Sequence, residues 1–126
     1  MKVVVLSGSP RKNGNTQIMM KHVLEYVNQK GVEVKFINLS EDGFESFKGA
    51  ANEVNYNEKT LQAAKDRTEA DVWLVGIPVY NSMFSAALKN IFEFINYKET
   101  EGKTAGLQLL LEEQLALEMY RHYLHN

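Results

Sequence analysis

The sequence predicts a single α/β domain in which a parallel β-sheet carries helices on both faces. Residues 2–7 form a near-continuous apolar run, which is typical of a central strand covered on both sides. Strand-like and helix-like segments then alternate along the chain, and this alternation indicates parallel strands joined by right-handed crossovers. No repeat, low-complexity tract or Pro/Gly-rich linker divides residues 1–126, so we expect one domain.

The composition excludes several classes of function. The 126 residues carry a net charge of −2, so there is no basic footprint for nucleic acid or for an anionic membrane. The absence of cysteine excludes disulfides, thiolate metal sites and thiol catalysis. There is no apolar run long enough for a transmembrane helix and no signal-peptide pattern, so we expect a cytoplasmic protein.

The first helix and second strand are predicted over residues 16–30 and 32–39. The helix has apolar side chains at the spacing of one buried face, namely Met20, Val23, Leu24 and Val27. Gly31 follows where a C-terminal capping glycine belongs. Residues 40–57 have weak periodicity and predict an irregular connection that could carry a short helix over residues 45–48.

A second helix is predicted over residues 58–70, and a third strand follows over residues 71–76. The inward-facing residues of this helix are predicted to be Leu61, Ala64 and Thr68. Trp73 lies within the strand, so we expect it in the core. The next helix is predicted over residues 85–96, with Ser85 as its N-cap. Its core-facing residues are predicted to be Leu88, Ile91, Phe92 and Ile95.

The last part of the chain predicts a short fourth strand over residues 103–107 that passes directly into a helix over residues 108–125. Acidic residues lie early in that helix and basic residues lie late, in agreement with the helix dipole. The abrupt strand-to-helix junction indicates a missing segment between Leu107 and Gln108. A further segment is expected after Asn126.

The turn between the first strand and the first helix predicts a phosphate site. Gly8 and Gly14 allow backbone conformations that other residues avoid. Five side chains supply hydroxyl, amide or guanidinium donors, namely Ser9, Arg11, Asn13, Asn15 and Thr16. The N–H groups and the dipole of the following helix also favour an anion.

The spacing of this turn excludes several better-known loops. Five residues separate Gly8 from Gly14, and Asn15 stands where a Walker A loop needs lysine. The chain has no G-x-G-x-x-G fingerprint and no cysteine for a phosphatase loop. Ser7 replaces the first glycine of a nucleophile elbow, so Ser9 is not a predicted nucleophile. We therefore predict a loop that holds a phosphate without cleaving it, and no catalytic side chain.

A second candidate segment follows the third strand. This segment could line a binding site for a flat aromatic ring. The candidate residues are Pro78, Val79, Tyr80, Asn81 and Phe84. The carboxyl ends of parallel strands lie at one sheet edge, so both candidate segments are predicted to meet in one crevice. Glu118 and His122 are one helical turn apart, a spacing that could hold a metal ion. We favour the interpretation that these two residues, His22 and His125 are solvent-exposed side chains, and we predict no metal site.

Taken together, residues 8–16 and 78–90 resemble the flavodoxin-like NADPH-dependent FMN reductases, and the resemblance covers about residues 1–107. It implies a flavodoxin-like, doubly wound parallel sheet that binds FMN noncovalently. The implied phosphate contacts are Ser9, Arg11, Asn13, Asn15 and Thr16, and the implied ring contacts are Pro78, Val79, Tyr80, Asn81 and Phe84.

The resemblance also implies an activity and a partner. Hydride would pass from NADPH or NADH to the flavin and then to a small acceptor of the quinone or azo type, and the protein would be a homodimer or higher homo-oligomer. The family's glycine-rich third loop and fifth strand are not found in this sequence. Two alternatives therefore stay open, namely a flavodoxin-type electron carrier and a non-enzymatic fold fragment that binds a phosphate or a partner chain.

Overall fold

The computed structural model describes residues 1–50, 55–94 and 97–111 of the chain. These residues form five strands, three α-helices and one 3-10 helix. The strands are β1 (Lys2–Ser7), β2 (Glu33–Asn38), β3 (Val72–Tyr80), β4 (Met83–Phe84) and β5 (Thr104–Leu111). The helices are α1 (Asn15–Asn28), α2 (Glu58–Glu69) and α3 (Ala86–Glu93), and the 3-10 helix is Tyr97–Thr100. Most predicted boundaries are correct within about two residues, the usual disagreement between boundary assignments.

The sheet contains four parallel strands in the order β2-β1-β3-β5, and β4 pairs antiparallel with the end of β3. Val79 of β3 pairs with Phe84 of β4 on one side and with Leu111 of β5 on the other. It follows that β4 lies on the same side of β3 as β1, beyond the carboxyl end of β1. The hairpin is thus adjacent to the loop that leaves β1.

The two faces of β1 are both buried, as the apolar run predicted. On one face Val3 and Val5 pack with Met20 and Val27 of α1. The core on the other face involves α2 and α3, and its members include Val4, Leu6, Ala63, Trp73, Leu88 and Ile91. The predicted apolar face of α1 and the core position of Trp73 are confirmed. Ile95, which was assigned to the core face of the third helix, lies outside the described residues.

The buried face of α2 differs from the predicted one. Its buried residues are Thr60, Ala63 and Arg67, whereas Leu61 is 46% exposed and Ala64 and Thr68 are only half-buried. The prediction was wrong because it searched for apolar side chains, whereas two of the three buried residues of α2 are polar. Thr60 Oγ1 accepts a hydrogen bond from the Glu45 N–H at 3.0 Å.

Arg67 occupies the centre of this face and is fully buried. Its Nη1 donates to the carbonyl of Ile91, one of the last carbonyls of α3, and its own carbonyl accepts from Trp73 Nε1 at 2.8 Å. Its Nε and Nη2 have no partner among the described residues. Desolvation by burial lowers the pKa of the guanidinium to about 10, opposed by the Glu99 carboxylate.

Two predicted helices are absent from the part of the chain that the structure describes. Residues 45–48 are not helical, because Glu45 and Phe47 donate their N–H groups to the side chains of Thr60 and Asn90. The helix predicted from Gln108 is wrong over residues 108–111, which continue β5 in parallel register with β3. Backbone pairing with β3 outweighs the helix propensity of this leucine-rich stretch.

The missing segment predicted between Leu107 and Gln108 was inferred from a strand-to-helix junction that β5 does not contain. The rest of the predicted last helix, residues 112–125, lies outside the described residues. The segment expected after Asn126 stays a prediction.

We expect Arg67→Lys to lower the free energy of unfolding by about 2–3 kcal/mol, because lysine would leave a buried charge without its bond to Ile91. Arg67→Met removes the charge together with the bond, so it should be more stable than Arg67→Lys. Urea unfolding followed by far-UV circular dichroism measures both. A lysine variant as stable as the methionine variant would contradict this account of Arg67.

Candidate functional site

The loop after β1 lies directly against the middle of β3. The Gly8 N–H donates to the carbonyl of Gly76 at 2.9 Å. A Cβ atom on Gly8 would lie 2.6 Å from that same oxygen, so only glycine permits this approach of two backbones. Ser85, the N-cap of α3, donates from its Oγ to the carbonyl of Gly8 at 2.6 Å. These contacts bring the two predicted segments to one edge of the sheet.

Ser9 and Tyr80 join the two predicted segments through their side chains. Their hydroxyl oxygens are 3.2 Å apart, within hydrogen-bond distance. Ser9 is 2% exposed, and its Oγ also accepts from the Arg11 N–H at 3.1 Å. The hydrogen bond from Arg11 makes a tight turn directly after Ser9. The structure therefore brings the two predicted segments into contact through Ser9 and Tyr80.

The N-terminus of α1 forms the other end of this site. Its N-cap is Gly14, which supplies no side-chain cap, so the first N–H groups of the helix lack the usual side-chain acceptor. Thr16 in the first turn is 1% exposed, and its Oγ1 has no partner among the described residues. The same is true of the buried Oγ of Ser7 at the end of β1. Buried hydroxyls and an uncapped helix start suit an anion.

The remaining phosphate-loop candidates lie on the outer side of the loop. Arg11, Asn13 and Asn15 are exposed. Asn13 has a left-handed backbone with φ of 55°, and its N–H donates to Gln17 Oε1 at 2.7 Å. The loop thus combines two buried hydroxyl side chains, Ser9 and Thr16, with three exposed polar ones.

The second segment is a strand and a hairpin turn, not the loop that we predicted. Pro78, Val79 and Tyr80 belong to β3 because β4 and β5 pair with the end of this strand on opposite sides. Asn81 and Ser82 have φ of 48° and 66° and form a two-residue turn of the kind that suits the twist of a hairpin.

The hairpin decides which of these side chains reach the surface. Pro78 is fully buried in the sheet, and Val79 and Tyr80 are half-buried. Asn81 is exposed, Phe84 is 45% exposed and its neighbour Met83 is 61% exposed. Of the five residues predicted beside an aromatic ring, four therefore present surface at this edge and Pro78 does not.

A groove of about 510 Å³ adjoins the loop on the side of α3. Its apolar lining includes Leu39, Phe44 and Ile91, and Glu41 and Asp42 supply carboxylates. Lys12 of the loop after β1 forms an ion pair with Asp42 at 3.3 Å, so one side chain of that loop reaches the rim of the groove. The volume lies within the range of small-molecule sites.

The predictions that the chain holds no metal site and no transmembrane helix can be compared with the structure only over residues 1–50, 55–94 and 97–111. In these ranges no three His, Asp or Glu side chains are grouped closely enough to hold a metal ion. His22 is exposed, as predicted, whereas Glu118, His122 and His125 lie outside the described residues. None of the helices in these ranges has the length and apolarity that a membrane crossing requires.

Three residues that contribute to this site were not predicted for it. The carbonyl of Gly76 accepts from the Gly8 N–H, and a glycine at the end of the predicted third strand could have indicated this contact. Ser85 was predicted only as an N-cap, although it also bonds the Gly8 carbonyl. The role of Gln17 could have been predicted from the sequence, because glutamine at the third helical position often accepts a hydrogen bond from the backbone that precedes the helix.

We expect Gly8→Ala to lower the free energy of unfolding by about 2–4 kcal/mol, because its Cβ would collide with a backbone oxygen that cannot move alone. Gly14→Ala is the matched control. Gly14 has φ of −79°, and a Cβ there would meet only the flexible side chain of Arg11 at 3.4 Å or more. Its cost should stay below about 1 kcal/mol. Equal losses in urea unfolding would contradict the role of the Gly8–Gly76 contact.

Comparison with known proteins identifies the family. The family model for NADPH-dependent FMN reductase matches residues 1–115. An iron-sulfur flavoprotein of Methanocaldococcus jannaschii is 31% identical over 98 residues, which are 74% of this chain and 51% of that protein. An FMN-dependent NADPH-azoreductase of Staphylococcus aureus is 24% identical over 110 residues, which are 85% and 58% of the two chains. This chain thus spans about half the length of the curated relatives that it matches.

Solved structures show the same fold. An NADH:FMN oxidoreductase in its apo form aligns with a TM-score of 0.69 and 17% identity, covering 98% of this chain and 65% of that one. FerB, a flavoenzyme NAD(P)H:(acceptor) oxidoreductase of Paracoccus denitrificans, aligns with a TM-score of 0.68 and 19% identity over 98% and 71%. The flavodoxin-like α/β fold with a parallel sheet is thereby confirmed. Because the family model matches nearly the whole sequence, this chain belongs to the NADPH-dependent FMN reductase family.

Proposed function

We propose that this chain binds FMN noncovalently at the carboxyl edge of its sheet and acts as an NAD(P)H-dependent oxidoreductase toward a small quinone-like or azo-like acceptor. The single observation that carries the proposal is the 3.2 Å contact between Ser9 and Tyr80. It joins a loop suited to a phosphate and a hairpin suited to an aromatic ring. Family membership and the azoreductase relative support the same reaction class.

The phosphate end of the site fits a dianionic group. The uncapped start of α1 offers backbone N–H donors and the positive end of the helix dipole. Thr16 Oγ1 is a buried hydroxyl without a partner in the described chain, so a phosphate oxygen would complete its hydrogen bonding. Arg11 and Asn15 are exposed at the same loop, where Arg11 would add a charge-assisted hydrogen bond.

The ring end would be formed by the β3–β4 hairpin. Tyr80 is fixed by its strand and by Ser9, while Asn81 and Phe84 are exposed beside it. The hairpin holds these groups on a paired backbone, which limits their freedom before any ligand binds. FMN, when bound, supplies the redox chemistry by accepting hydride from the nicotinamide and passing electrons to the acceptor. The residues therefore act by binding and orientation, and we assign none as acid, base or nucleophile.

The iron–sulfur relative suggests a second cofactor that these residues do not support. The 126 residues contain no cysteine, so they provide no thiolate ligand for an iron–sulfur cluster. Within this chain we therefore propose flavin as the redox cofactor, with NADPH or NADH as co-substrate. The groove of about 510 Å³ next to the phosphate loop is a candidate entry for the small acceptor.

We further propose a cytoplasmic homodimer or higher homo-oligomer. Leu107 is 64% exposed and Leu109 is 44% exposed, and the register of β5 places both on the same face as Val75 and Ile77. Exposed leucines on one face of an edge strand favour contact with another chain. Sedimentation equilibrium tests this proposal, because a monomer at all concentrations would contradict it.

Titration of the apoprotein with FMN, followed by quenching of flavin fluorescence, tests the proposed function. We expect saturable binding, and then oxidation of NADPH or NADH by the loaded protein when a quinone is added. Binding without nicotinamide oxidation would favour the alternative of an electron carrier. No uptake of FMN by a chain that is folded by far-UV circular dichroism would contradict the proposal and favour the fold fragment.

We expect Thr16→Val to weaken FMN binding by about tenfold, the equivalent of one lost hydrogen bond to a charged group. The same substitution should leave the unliganded protein as stable or more stable, because it removes a buried hydroxyl without a partner. Thr16→Ser keeps the hydroxyl and is the control, so it should retain most of the affinity. Unchanged FMN affinity in Thr16→Val would exclude Thr16 from the phosphate site.

A further inference from the structure

Gln17 holds the one residue of the phosphate loop that has a left-handed backbone. Asn13 has φ of 55°, in the left-handed region that residues other than glycine adopt only occasionally, asparagine more often than most. The Asn13 N–H donates to Gln17 Oε1 at 2.7 Å. Because a backbone N–H can only donate, Oε1 must be the atom that faces the loop.

The position of Gln17 in α1 explains how it reaches the loop. With Gly14 as N-cap, Gln17 is the third helical residue, where glutamate or glutamine commonly bonds backward to the N-cap N–H. Here the side chain reaches one residue further, to Asn13. Gln17 is 6% exposed, so its side chain is fixed by packing.

The chain just after β2 provides a second polar contact to Gln17 Oε1. Ser40 Oγ lies 3.3 Å from Gln17 Oε1 and 2.8 Å from Asn38 Oδ1, which also accepts the Ser40 N–H at 3.1 Å. Asn38 and Ser40 are themselves 8% and 7% exposed. A buried polar network thus connects the end of β2 to the phosphate loop through Gln17.

We propose that Gln17 is the positioning residue of the phosphate loop and that its neutral amide is matched to a dianionic ligand. An amide oxygen holds Asn13 as a carboxylate would, without placing a negative charge next to the phosphate. The proposal rests on the proposed function for the identity of the ligand. The role of Gln17 in the loop conformation is independent of the proposed function, because the bond from Asn13 to Gln17 is already present in the unliganded chain.

Two variants separate the two parts of the proposal. Gln17→Glu keeps an oxygen acceptor for Asn13 and adds a charge, so FMN affinity should fall about tenfold while riboflavin affinity, with no phosphate to repel, should change less than about twofold. Gln17→Met keeps the length and removes the acceptor, so the loop should lose its fixed conformation. Its FMN affinity should also fall more than its riboflavin affinity.

Gln62 offers matched controls on the opposite face of the sheet. It is exposed on α2, where its Nε2 donates to Asp66 at 2.8 Å. Gln62→Glu and Gln62→Met should leave the ratio of FMN to riboflavin affinity at the wild-type value. Equal weakening of both flavins by the Gln17 variants would make Gln17 merely structural and would overturn the proposal.

Amide hydrogen exchange provides a test that needs no flavin. In Gln17→Met the Asn13 amide should exchange at least about tenfold faster than in the wild type, whereas Gln17→Glu should keep most of the protection. Unchanged exchange in Gln17→Met would overturn the positioning role even if FMN binds well. If the wild type binds no flavin, the proposed function fails, and the exchange rates still decide whether Gln17 positions the loop.

Discussion

The close contact between the backbones of Gly8 and Gly76 is the constraint on which the rest of the site depends. The pairing of β1 with β3 ends at Ser7 and Gly76, and Gly8 continues it by one further hydrogen bond. A side chain on either glycine would separate the elements, because a Cβ on Gly76 would also lie 2.5 Å from Met20 of α1. Loop, strand and helix can therefore meet only where both residues lack side chains.

The hairpin at the end of β3 follows from the same arrangement. The sheet extends further at its carboxyl edge than alternation of strands and helices alone requires, because β4 pairs with β3 beyond the end of β1. A loop at this place would leave Tyr80 free to move, whereas a paired strand directs it toward Ser9. Pro78 is fully buried within the sheet, whereas Val79 and Tyr80 beyond it are half-buried, so position along the strand determines which side chains are available to a ligand.

Buried polar atoms without hydrogen-bond partners occur at two different places in the described residues, and we interpret the two groups differently. Ser7 and Thr16 lie on either side of the phosphate loop, where an anionic ligand would satisfy them. Arg67 lies between α2 and α3 and bonds a carbonyl at the end of a helix, so its cation interacts favourably with the helix dipole. The Arg67 charge has a structural partner in the Ile91 carbonyl, whereas the hydroxyls lie at the loop where we propose that a ligand binds. Position in the fold separates the two cases, although their chemistry is similar.

The sequence by itself determined the α/β class and the buried first strand, and it predicted the two segments that the fold brings together. Each of these depends on local properties, namely apolar runs, helical periodicity and the backbone freedom of glycine. Only the tertiary structure decided the inner face of α2, the hairpin after Tyr80 and the strand through Gln108. Partners distant in sequence fixed these features, since Arg67 bonds Ile91, Val79 pairs with Phe84, and β5 pairs with β3. The conformational preferences of a short segment cannot predict these features, because backbone pairing and burial depend on which distant segments the fold brings together.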